Sequence, residues 1–190
     1  MEHPPWRRAG VRGRVVTVFC ASKITPGGPL ARQAYRLGAA LARAGFTVCN
    51  GGYGGAMAES ARGAKAAGGA TIGITVDQWG LKANRWIDRQ IHARSILDRL
   101  VRLMEMGDGY AVLPGGSGTL LELAAVWEYQ NKKLLPPKPI ILVGNFWLPL
   151  VREARRAFRR VGQSGAASLI SVAPTPEAAV ALLRKSNVNR

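Results

Sequence analysis

The chain predicts a doubly wound α/β fold, a parallel sheet covered by helices on both faces, and three observations carry that expectation. Short β-branched runs alternate with Ala- and Leu-rich stretches along nearly the whole length. The strand candidates are almost continuously apolar, as strands buried on both faces are. Glycine clusters fall where strands give way to helices, the rim at which ligands bind in such sheets.

Residues 1–13 mix Pro4, Pro5, Gly10 and Gly13 with charges and read as a flexible basic arm, leaving 14–190 as one domain. Strands are expected at 14–22 (RVVTVFCAS), 46–52 (FTVCNGG), 70–76 (ATIGITV), 109–115 (GYAVLPG), 139–145 (PIILVGN) and 168–172 (SLISV). Helices are expected between them at 29–44, 55–67, 95–106, 119–132, 147–161 and 176–185. Segment 85–94 (RWIDRQIHAR) is ambiguous and could be a short strand feeding the next helix. In the 95–106 helix, Ile96, Leu97, Leu100, Val101 and Met104 mark the packed side, while Arg99, Arg102 and Glu105 share another face. In 147–161, REARRAFRR sets Arg beside Ala and Phe at helical spacing, which favours a solvated face over a nucleic-acid stripe.

With 190 residues, 47% of them hydrophobic, the chain has the size and apolar content of one domain. It has no run of 18 uncharged apolar residues, and its first residues lack the apolar core of a secretory signal, so a cytoplasmic protein without a membrane span is expected. Cys20 and Cys49 lie in apolar runs and read as buried, reduced thiols. Neither a disulfide framework nor a metal site is expected, because His3 and His92 stand at no ligand spacing. The net charge of +16 points to attraction to anions, whether nucleotides, RNA or phosphate-rich surroundings, with nucleic acid the less expected partner.

Chemistry concentrates in LPGGSGTLLELAAVWEYQNKK, residues 113–133. Gly115, Gly116 and Gly118 surround Ser117 just where a helix begins, and Thr119 adds a second hydroxyl. Such a turn brings free amides and the positive end of a helix dipole against an anion, typically a phosphate. Glu122 sits among Leu120, Leu121, Leu123 and Ala124, either as a partner of that dipole or as a functional carboxylate. A second glycine loop, Gly51, Gly52, Gly54 and Gly55, follows another strand, and two such loops can surround one phosphorylated ligand. Neither loop is a G-x-G-x-x-G or a P-loop, which argues against an NTPase. Arg99, on the helix before the PGG strand, is either a solvated surface cation or a clamp for a phosphate or carboxylate. Trp127 and Tyr129 offer large apolar area, either to the core or to a dimer interface.

PGGSGTLLE (114–122) resembles the PGGxGTxxE signature of the LONELY GUY family, often labelled "lysine decarboxylase-like" although its characterised members are phosphoribohydrolases. FCASK and NGGYGGAMAESARGA resemble that family's first strand end and second glycine loop, and the likeness covers roughly residues 14–160. The resemblance implies a Rossmann-like homodimer, with no metal or redox cofactor, that cleaves a nucleoside 5′-monophosphate to free base and ribose 5-phosphate. It implies Glu122 and Arg99 as the catalytic pair. Gly115, Gly116, Ser117, Gly118 and Thr119 would hold the 5′-phosphate, and Gly51, Gly52, Gly54 and Gly55 would line the ribose-phosphate cleft. Arg99 would keep Glu122 ionised. Leu100 and Ser117 depart from the family's common Lys and Tyr, which leaves the base open, and members of the wider fold group bind nucleotides or molybdenum cofactor without hydrolysis.

Overall fold

The computed structural model describes residues 13–185, so all of the basic arm but Gly13 lies outside the described residues. Seven strands form one sheet, all neighbours parallel: β1 (Arg14–Phe19), β2 (Phe46–Asn50), β3 (Thr71–Val76), β4 (Arg89–Ala93), β5 (Gly109–Val112), β6 (Ile140–Val143) and β7 (Ile170–Ala173). Their spatial order is β4-β3-β2-β1-β5-β6-β7. From the central β1 the chain winds outward through β2, β3 and β4, then returns to β5 on the other side of β1. The carboxyl ends of β1 and β5 therefore flank the topological switch point, where adjacent loops diverge and open a crevice.

The sheet is buried on both faces. Side chains such as Phe19, Ile74, Tyr110 and Val112 pack beneath α3 (Ile96–Met106), α4 (Ser117–Asn131) and α5 (Leu148–Arg160). The other face, with Val16, Val48 and Leu113, lies against α1 (Pro29–Arg43), α2 (Ala56–Ala66) and α7 (Pro176–Lys185). A short helix α6 (Ser164–Ala167) and a 3-10 turn (Asp77–Trp79) complete the described elements. Neither was expected from sequence, being too short to show a period. The ambiguous 85–94 segment resolves into β4, a strand at the sheet's edge. No helix among the described residues is long and apolar enough to cross a membrane.

One side-chain assignment differs from expectation, and another decides between alternatives that the sequence left open. On α3 the buried stripe runs through Leu103, Met104 and Met106 and takes in Arg99, whereas Ile96, Leu97 and Val101 face solvent, Leu97 at 67% exposure. Arg99 turns inward, its Nε donating to the carbonyl of Ile74 within β3 (2.8 Å). That bond rotates the outer apolar residues away from the core. Trp127 belongs to the core: its indole N–H donates to Ala166 O (2.7 Å) and its ring meets Phe158 edge-on. Tyr129 stays exposed. The arginine-rich α5 shows the solvated face anticipated, with Arg152, Arg156, Arg159 and Arg160 exposed and Arg156 paired to Glu153.

α1 and α2 pack backbone to backbone. A Cβ at Gly38 would overlap the carbonyl of Ser60, and one at Gly63 would overlap the carbonyl of Tyr35. Overpacking such a contact costs about 1–3 kcal/mol. Gly38→Ala should therefore lower the denaturant midpoint by an amount in that range at unchanged slope, measured by urea unfolding; a variant as stable as the parent would mean that the two helices separate freely.

Candidate functional site

Three loops meet where β1, β2 and β5 end. Beyond Phe19 the chain leaves the sheet and its backbone ties the other two loops together: Leu113 N–H donates to Phe19 O (2.9 Å), Ala21 N–H to Pro114 O (3.2 Å) and Ala56 N–H to Ala21 O (2.9 Å). The strand expected over 14–22 therefore ends at Phe19, because Cys20–Ser22 serve as this bridge.

The β2–α2 loop is shaped by two asparagines. Asn50 is fully buried; its Oδ1 accepts from Gly52 N–H (2.8 Å) and its Nδ2 donates to Met57 O (2.9 Å) and Ser60 Oγ (3.1 Å). Asn84 donates through Nδ2 to the carbonyls of Gly52 and Tyr53, both at 2.9 Å. Sequence reading missed both. Asn50 carried a signal, an amide at the end of an apolar strand where Asn is disfavoured; Asn84, far along the chain, carried none. Gly55 caps α2 at φ +64°, and a side chain there would overlap the backbone of Ala21 and Ser22. This glycine is required by the bridge itself.

The β5–α4 loop enters its helix two residues earlier than expected, at Ser117 rather than Thr119. Among the described residues no side chain caps this end, so the amides of Ser117, Gly118 and Thr119 face the crevice as donors. Gly116 and Gly118 have open space where a Cβ would stand, while at Gly115 that space is filled by the Thr119 side chain. Thr119 is itself buried beneath the turn.

Glu122 lies one turn further along α4 and meets Arg99 from α3: Nη1 to Oε1 is 3.4 Å, with side chains 12% and 11% exposed. The α3 start that positions Arg99 is fixed by reciprocal capping, Ser95 Oγ accepting from Asp98 N–H and Asp98 Oδ2 from Arg94 N–H. The guanidinium rests on Gly51, where any Cβ would overlap it. Gly51 thus makes room for Arg99. Expectation and structure part over Glu122's charge. Burial raises its pKa to about 7, and the opposing pull of Arg99 offsets only part of that rise. At 3.4 Å, with one hydrogen bond, Arg99 does not hold the acid in the ordinary carboxylate range. Burial also raises the neighbouring thiols, Cys49 to about 12 and Cys20 further, so both are inert.

Around this pair is a cavity of about 260 Å³. Its walls are the α4 amide turn from Gly116 to Thr119, Gly51, Arg99 and Glu122, with Tyr53, Trp79 and Ile96 toward its apolar side. Gly52, Gly54, Gly55 and Gly115 stand outside that wall. The structure thus brings Glu122, Arg99, Gly51, Gly116, Ser117, Gly118 and Thr119 together and leaves the other four glycines shaping the loops behind them. Amide donors, an ionisable pair and apolar side chains therefore line one cavity, which can accommodate an anion joined to an apolar ring.

Residues 14–146 match the model of the SLOG cluster4 family. A cytokinin riboside 5′-monophosphate phosphoribohydrolase of Mycobacterium tuberculosis is 36% identical over 131 residues, covering 67% of this chain and 69% of that protein. An uncharacterized protein of Archaeoglobus fulgidus is 33% identical over 132 residues, covering 67% and 77%. Among solved structures, the molybdenum cofactor binding protein of the phototrophic bacterium Rippkaea orientalis superposes with a TM-score of 0.72 at 25% identity, covering 93% of this chain and 99% of that one.

Because the folded pKa of Glu122 lies above its ordinary value of 4.5, the folded state holds a proton that the unfolded chain has lost at intermediate pH. Stability is then greatest below about pH 4.5 as far as this group is concerned, and falls as pH rises through about 7. The full loss amounts to about 3 kcal/mol. Glu122→Gln, which stays neutral, should be more stable than the parent at pH 8 by a difference approaching that size, and should match it near pH 4.5. Thermal melts of both proteins across this range check it; a difference independent of pH would refute the assigned shift.

Proposed function

The chain belongs to the SLOG cluster4 family, and from that premise we propose that it hydrolyses the N-glycosidic bond of a nucleoside 5′-monophosphate, releasing free base and ribose 5-phosphate. The observation that carries this reading is Glu122: a nearly buried carboxyl, poised about neutrality, one helical turn from three free amides. The amides of Ser117, Gly118 and Thr119 would hold the 5′-phosphate, with Gly116 and Gly118 leaving it room to approach the backbone. A nucleotide anchored there would extend its ribose over Glu122 and Arg99.

Departure of the base builds positive charge on the ribose, and ionised Glu122 would stabilise that charge and accept a proton from the attacking water. The C1′–N bond breaks with its electron pair going to the base, and the water oxygen forms the new C1′–O bond. The proton accepted by Glu122 would pass to the departing base, which restores the carboxylate. Oε1 is engaged by Arg99, while Oε2 accepts no hydrogen bond among the described residues and can meet the substrate. Arg99 is anchored by Ile74 O and by its seat on Gly51, so it would orient the acid without following the ligand.

The same reading includes a homodimer. Leu97 and Val101 on α3 and Leu121 and Tyr129 on α4 are exposed, α4 and α5 frame an apolar groove, and a second copy would cover such surfaces. A second functional reading, capture of a phosphorylated ligand without cleavage, is favoured by one specific observation. Leu100, where related sequences commonly place a second cation, is packed against the core, and the likeness to a molybdenum cofactor binding protein is consistent with such a role.

Incubation with AMP or isopentenyladenosine monophosphate, followed by chromatography of the free base, tests the two. Hydrolysis predicts base release that falls by about 10²–10³ in Glu122→Gln. It also predicts a kcat/KM that climbs as pH rises through about 7, as Glu122 ionises in the free protein. Release no greater than that of the Gln variant, with ligand bound and intact, would leave only the second reading.

A further inference from the structure

The described tryptophans differ in what their rings do. Trp127 and Trp147 are buried and spend their N–H groups on the carbonyls of Ala166 and Leu113. Trp86 is covered by its neighbour Arg85, whose guanidinium lies 4.6 Å from the ring centre. Trp79 is 45% exposed, borders the cavity, and its indole N–H has no hydrogen-bond partner among the described residues. A large ring left open at the mouth of a polar cavity forgoes burial that it could have had in the core, and so is the informative exception.

Its placement is also well supported. Trp79 ends the 3-10 turn that follows β3, and Gly80 closes that turn in the left-handed region at φ +58°. Tyr53 backs the indole, ring centres 5.4 Å apart and planes at 42°. Tyr53 is in turn pinned, its hydroxyl accepting from Val76 N–H at 2.7 Å. The Arg99 guanidinium lies 5.8 Å from the Tyr53 ring and 5.9 Å from Trp79, so the aromatic pair sits beside the Arg99–Glu122 contact. Ile96, exposed at the start of α3, shares the mouth. The amide cradle, the ionisable pair and the aromatic side chains thus line one cavity.

We propose that Trp79 is the platform on which the ligand's planar nitrogen heterocycle stacks, making the site selective for ring-bearing phosphates over a bare sugar phosphate. The proposal rests on the reading that this cavity takes a phosphorylated ligand, and adds that the far end of that ligand is aromatic. Neither a sugar nor a phosphate has a π-face for an indole, whereas a purine base and a pterin both do. Both are therefore arms of the test.

The experiment is calorimetric titration of the full chain in a Glu122→Gln background, which keeps nucleotides intact, with AMP, neopterin monophosphate and ribose 5-phosphate. Trp79→Ala is expected to weaken binding of AMP, of neopterin monophosphate, or of both by about ten- to a hundredfold, the range of one stacked base. Trp79→Phe is expected to recover part of that loss, and ribose 5-phosphate affinity to stay unchanged. The ring that binds more tightly in the Trp79 protein identifies the source. Equal weakening for ribose 5-phosphate would reduce Trp79 to a structural prop, and undiminished binding of the ring ligands, or no binding of either, would overturn the proposal. Base release by the protein with Glu122 intact is measured separately: cleavage with unaltered ring preference in Trp79→Ala sinks only the stacking, and stacking without cleavage sinks only the hydrolysis.

Discussion

The contact between Arg99 and Glu122 is the constraint on which the rest of this site depends. Two charges held 3.4 Å apart at about a tenth exposure must offset the cost of leaving water, and a single hydrogen bond between them does not do so fully. The remainder appears as a carboxyl titrating near pH 7. Arg99 has a second anchor, the carbonyl of Ile74 within β3. The pair is thus asymmetric: a fixed cation and an acid whose charge is conditional.

Several features elsewhere follow from keeping that cation inside. Gly51 must lack a side chain because the guanidinium occupies its place, so the glycine loop after β2 serves α3 as much as any ligand. The inward turn of Arg99 also sets the rotation of α3, and the apolar residues that would otherwise cover the core are displaced outward at Ile96, Leu97 and Val101. Loop order is supplied by side-chain amides, Asn50 and Asn84, which satisfy buried backbone groups that glycine-rich turns leave unpaired. The Ala21 backbone then ties this loop to the β5–α4 turn, so the two glycine clusters are joined through one residue.

Much of this was legible in the residues. Near-continuous apolar strands announced the parallel sheet, and the PGGSGT turn announced a helix start with open amides, because both signals are local. Strand ends were overextended wherever the chain left the sheet while staying apolar or glycine-rich, as at Cys20 and Gly115. The α3 stripe was misassigned for a different reason. Periodicity counts apolar residues and cannot foresee that a buried acceptor at Ile74 O, from a strand two elements earlier, draws a charged side chain inward. Asn84 and Trp79 were silent likewise, since their meaning lies in contacts with Gly52 and Tyr53 across a loop that sequence spacing does not measure.

Set against the two functional readings, the identity of residue 122 is itself an argument. A protein that only retains a phosphorylated ligand has no use for a conditional charge: a glutamine in the same place could donate to the ligand and would escape the pH-dependent cost of ionising a buried acid. A hydrolase has the opposite requirement, since a carboxylate is needed where positive charge develops on the sugar, and a pKa near neutrality lets the same group take a proton and return it. The destabilisation that Glu122 brings at neutral pH is the kind of local cost that folds carry at reacting centres. That cost, more than the glycine turns shared by binders and enzymes alike, supports cleavage as the reading of this cleft.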